Sequence, residues 1–124
     1  MWWALWLLSV VVVLYATTWP WSDFQGHTHW HKVRWVPFSD RPLSAWDIVE
    51  NVALFLPFGF CLARMRARRM KSTFVIAALL ATALSLSVEL FQSFGHTRIP
   101  SATDLCTNVL GAIVGVAIAY VGGT

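Results

Sequence analysis

Charge is scarce in this chain: Asp, Glu, Lys and Arg make up 12% of its 124 residues, against 57% hydrophobic residues. A soluble domain this short needs a polar exterior. The scarcity therefore excludes water as the main solvent and points to a helical bundle in lipid, where polar groups sit at the ends or face inward. Cysteine is nearly missing as well, with only Cys61 and Cys106. The spans assigned below place them about 20 Å apart along the membrane normal, too far for a mutual disulfide, so both read as small apolar core residues. The first apolar run lacks the positive start and small-residue cleavage site of a secretory signal and reads as an anchor. No Cys or nearby carboxylate completes a metal pattern with His27, His29 and His31, whose alternation would put them on one face of an extended segment. No metal and no cofactor are expected.

The net charge of +3 is local, because five of the nine Lys and Arg are Arg64, Arg66, Arg68, Arg69 and Lys71. That cluster lies between two apolar segments, where it reads as a cytoplasmic loop and not as a nucleic-acid patch. Four segments have the roughly 17 to 25 residues a spanning helix needs: about 2–19, 47–63, 72–94 and 104–121. Trp2, Trp3, Trp6, Trp19 and Trp21 mark the ends of the first, as amphipathic rings do at headgroup level. The basic loop, 64–71, sets the orientation. Both termini fall on the cytoplasmic side, and the loop 20–46 and the short loop 95–103 fall outside. The expectation is a single all-α membrane domain over 1–124.

A shift of 57 positions brings Arg41, Ser44, Ala45, Asp47, Asn51 and Val52 onto Arg98, Ser101, Ala102, Asp104, Asn108 and Val109. Average residue usage gives about one chance identity over such a window. Both copies open a helix from the exterior side, so the chain reads as two helical hairpins related as parallel repeats.

In each copy Asp and Asn share one helix face, with the Asn about 6 Å deeper. An Asp in a first turn can simply serve the helix end, where free N–H groups and the dipole favour negative charge. Asn51 and Asn108 lie a turn inside and cannot be explained so. Glu89 and Gln92, at i and i+3 on the outward-running third span, reach the same level, with Arg41 and Arg98 just above. The sequence thus assembles Asp47, Asn51, Glu89, Gln92, Arg98, Asp104 and Asn108 beneath the exterior surface. Intramembrane ionisable groups cost roughly 2.5 to 3.5 kcal/mol each on insertion scales, so they mark a site or are paired. Pairing of Arg98 with Glu89 or Asp104 is expected. The competing reading is a polar clasp that only holds the helices together, each bond contributing about 0.6 kcal/mol. Gly111, Gly115 and Ala119, and Ala77, Ala81 and Ser85, read as small-residue packing faces, while Pro57 and Gly59 are expected to kink the second span.

Asp47 with Asn51, then Phe55, Pro57 and Gly59; Glu89 with Gln92; Arg98; and Asp104 with Asn108 and Gly111 together resemble the VanZ-like family of bacterial membrane proteins, over about 46–115. The family takes its name from a protein linked to teicoplanin resistance. The resemblance implies a multi-pass protein of the bacterial plasma membrane with a role in the cell envelope and a tie to glycopeptide resistance. It does not define a reaction.

Three functions compete. The first is binding of an anionic lipid or lipid-linked envelope precursor headgroup at the outer leaflet, with Arg98 and Arg41 as charge-assisted donors to phosphate and the amides orienting it. The second is a membrane enzyme in which Glu89 and Asp47 or Asp104 divide acid and base roles. The third is the clasp without a ligand. A transport pathway would require homo-oligomerisation of so small a bundle.

Overall fold

The computed structural model describes residues 1–39, 44–66 and 68–123. Among them the chain forms four α-helices, α1 (Trp2–Thr18), α2 (Ala45–Met65), α3 (Met70–Gln92) and α4 (Ala102–Val121), and no strand. α2, α3 and α4 are long and apolar enough to cross a membrane. α1 is apolar but shorter, at 17 residues.

Capping chemistry sets where two of the helices begin. The Ser44 hydroxyl accepts the Asp47 N–H at 3.2 Å, and the Ser101 hydroxyl accepts the Thr103 N–H at 3.2 Å. Each bond satisfies a donor that a helix start leaves free. α2 and α4 consequently begin at 45 and 102, two residues ahead of the boundaries hydropathy sets, because a polar first turn is invisible to an apolar criterion. α3 ends at Gln92, where the N–H groups of Ser93, Phe94 and Gly95 turn back onto carbonyls of 89–92.

α2 and α4 form the centre of the bundle. Asn51 meets Asp104 and Thr107, Val52 meets Gly111, Leu56 meets Gly115, and the Arg66 carbonyl accepts from the Tyr120 hydroxyl. The paired numbers rise together, so the two helices run parallel. Their approach depends on glycine. A Cβ on Gly59 would collide with the Ala112 backbone, one on Gly115 with the Leu56 carbonyl, and one on Gly111 would lie 2.5 Å from the Val52 carbonyl oxygen. Gly59 is therefore a contact residue, and α2 continues unbroken through Pro57.

The outer helices run antiparallel to this pair. On α3, Ala77, Ala81 and Ser85 are fully buried, and small side chains at i, i+4 and i+8 let the helix lie close. Trp6 and Trp2 of α1 lie against Phe58 and Phe60, with ring centroids 5.4 and 5.9 Å apart. Leu7, Leu8, Val11, Val12, Val75, Leu79, Leu86 and Ile118 face outward, as lipid contact requires. Cys61 is buried, Cys106 is exposed, and both are free thiols.

The two ends of the bundle differ. At one, the Arg64 guanidinium lies 5.3 Å from the Trp2 ring centre, which brings the chain start, the end of α2 and the basic turn together. Arg64 also neighbours Gly123, so α4 finishes at that same end. At the other, residues 19–39 dock onto the α3–α4 loop: Gln25 N–H donates to Phe94 O, His29 N–H to Ser93 O, Arg34 N–H to Pro100 O, and Ala102 N–H to Arg34 O, at 2.7 to 3.0 Å. Residues 19–39 thus form a cap over this end.

Candidate functional site

Beneath this cap lies a cavity of about 660 Å³ whose lining includes all seven of Asp47, Asn51, Glu89, Gln92, Arg98, Asp104 and Asn108. The helix geometry explains the convergence. Parallel α2 and α4 bring their Asp-Asn faces to one depth, while antiparallel α3 arrives there with its C-terminal turn. Arg41 lies outside the described residues.

The polar groups are tied to one another across the helices. The Asn51 amide donates to Asp104 Oδ1 at 2.9 Å and to Thr107 Oγ1 at 3.2 Å, joining α2 to α4. Asn108, 3% exposed, donates to Ser85 Oγ at 2.9 Å, joining α4 to α3. Gln92 donates to the Thr17 carbonyl at 2.9 Å, joining α3 to α1. Glu89 Oε2 accepts the Ser101 N–H at 2.8 Å, so a carboxylate of α3 sits at the positive start of α4. Asp47 and Asp104 stand in the first turns of α2 and α4, where negative charge is favoured, and Glu89 adds a third carboxylate at a helix start.

Arg98 departs from its expected pairing. Its Nη2 donates to the Trp19 carbonyl at 3.1 Å and not to Glu89 or Asp104, which holds the guanidinium at the rim. The carbonyls at the end of α1 lack helical partners, and a cation there is favoured. Asp47, which also lines the cavity, is exposed.

The family model for VanZ/LLP1 matches residues 2–122. The chain belongs to that family. No curated protein and no solved structure matches it. The match includes α1 and the docked loop, which carry none of the motifs recognised over 46–115. VanZ/LLP1 membership therefore covers the cap that closes the site as well as the helices that form it.

Several lining residues escaped the sequence reading. Glu50 lies one turn from Asp47, a spacing that signals a shared face, but it falls outside the 57-residue repeat. Arg34 comes from the docked loop, where no periodicity announces it. Ser85, buried and outside that lining, reads as a small packing residue in the sequence and also supplies the partner of Asn108.

Above the cavity, Asp23 Oδ2 accepts from the His96 N–H at 3.0 Å and from the Thr97 N–H and hydroxyl at 2.9 Å each. The Thr97 N–H, foremost among these donors, helps hold its carboxyl below the ordinary 3.8. The imidazoles of His27, His31 and His96 surround that of His29, with centroids 4.7, 6.1 and 6.1 Å away. His29 is buried, with Nδ1 3.3 Å from the Ser93 carbonyl. Among the described residues, no group of three His, Cys, Asp or Glu is placed to hold a metal.

Proposed function

We propose that this VanZ/LLP1 chain is a four-span protein of the bacterial plasma membrane, with both termini cytoplasmic, whose outward-facing cavity binds the phosphate-bearing headgroup of a lipid or lipid-linked envelope precursor. The observation that carries the reading is the convergence of all seven polar residues on one 660 Å³ cavity. Such a volume lies within the range of small-ligand pockets, about 300 to 1,000 Å³. Arg98 at the rim meets phosphate as a charge-assisted donor, and Asn51, Gln92 and Asn108 fix orientation below it. The parallel course of α2 and α4 supports an origin in two repeated hairpins. The link to teicoplanin resistance implied by the resemblance extends here as an effect on envelope lipids or precursors at the outer leaflet.

The interhelical hydrogen bonds favour a second reading, the clasp, in which the same groups only fasten the bundle. Native mass spectrometry of the protein from bacterial membranes separates the two. At matched folding, Arg98→Ala should lose a copurified lipid class that the wild type retains. Identical lipid profiles together with unchanged stability would overturn the headgroup site. A lipid-linked substrate turned over by wild type and bound but unprocessed by Glu89→Gln would instead favour catalysis.

A further inference from the structure

Among the described residues, four carboxyl side chains, from Asp47, Glu50, Glu89 and Asp104, line the cavity, against two guanidinium groups, from Arg34 and Arg98. A purely anionic headgroup would place its charge among walls in which carboxylates outnumber the cations. At close range in a poorly solvated site, like charges oppose binding strongly. Glu89 also retains accepting capacity, since a carboxylate has two oxygens and about four lone-pair sites. Its bond from Ser101 uses Oε2. Asn108 adds a separate observation. It is 3% exposed, it lines the same cavity, and its Oδ1 is buried without a hydrogen-bond partner among the described residues. A buried amide oxygen without a donor is costly, and a phosphate, which brings acceptors, would not relieve it.

We propose that the ligand of this cavity is a zwitterionic lipid headgroup that joins a phosphate to a primary amine, the phosphate at the Arg98 side and the ammonium among the carboxylates and the Asn108 amide oxygen. The inference rests on the headgroup reading above and narrows its ligand. A primary ammonium matches the walls in both charge and hydrogen bonding, because it supplies three N–H donors. A quaternary ammonium supplies the charge without the donors, and a glycerol headgroup supplies hydroxyl donors without the charge.

The test is lipid retention by the full chain in nanodiscs, read by native mass spectrometry. The lipids are phosphatidylethanolamine, phosphatidylcholine and phosphatidylglycerol with identical acyl chains. The expected result is preferential retention of phosphatidylethanolamine, at least tenfold over phosphatidylglycerol, with phosphatidylcholine between them. Glu50→Gln, a rim substitution that removes no observed hydrogen bond, should lower that preference several-fold, whereas Arg98→Ala should weaken all three lipids together. Preferential retention of phosphatidylglycerol, lost in Arg98→Ala, would overturn the amine assignment and leave the headgroup site standing. Equal retention of all three lipids, unchanged by either variant, would overturn both.

Discussion

Asn51 and Asn108 occupy equivalent places in α2 and α4, yet they face different neighbours: Asn51 reaches across to Asp104 and Thr107, and Asn108 reaches Ser85. Interhelical hydrogen bonds in membranes contribute about 0.6 kcal/mol on average. Asn51→Ala should therefore cost about 1 kcal/mol in a denaturant titration of the purified protein. A double-mutant cycle with Asp104→Ala should return a coupling of about 0.6 kcal/mol; additive single effects would mean that the bond contributes nothing. Asp23 gives a pH prediction. Its carboxyl titrates lower folded than unfolded, so its contribution to docking the cap is present above the ordinary 3.8 and is lost as pH falls through the folded value. The Thr97 amide proton resonance should shift with a midpoint below 3.8, and Asp23→Asn should abolish that titration. The sequence made the shared faces of Asp47 with Asn51 and Asp104 with Asn108 legible, because a spacing of four fixes direction on a helix. It did not reveal the donor at Glu89 or the carbonyl under Arg98, because both partners belong to segment ends that only tertiary structure brings near.

The contact between α2 and α4 relies on missing side chains. Gly59 and Gly115 abut backbone of the facing helix, and backbone cannot rotate away as a flexible side chain would. Gly115→Val should destabilise by about 1 to 3 kcal/mol or more, while Leu79→Val on the exposed face of α3 should be close to neutral. Equal tolerance in the same titration would contradict the close packing. Hydropathy located these helices because apolar length in lipid is a strong signal, and it set two of their starts two residues late because Ser44 and Ser101 cap polar first turns. The docked loop was not legible at all. Its order comes from backbone bonds to 93–102, more than sixty residues away in sequence, which leave no local pattern.

At the scale of the whole molecule, the basic turn and both chain ends share one end of the bundle, and the cavity opens at the other. With five cations at 64–71, the proposed orientation places the cavity outside. A fluorescent protein that folds only in the cytoplasm, fused after Thr124, should fluoresce, whereas alkaline phosphatase fused there should stay inactive. The opposite pattern would move the cavity to the cytoplasmic leaflet. The central claim is that the cavity under the cap holds a lipid headgroup. The most direct measurement is an experimental structure of the protein in nanodiscs of native bacterial lipid. Density for a headgroup between Arg98 and the Glu89–Asp104 wall, continuous with acyl chains outside, is the predicted result. A collapsed cavity whose polar groups bond only to one another would contradict it.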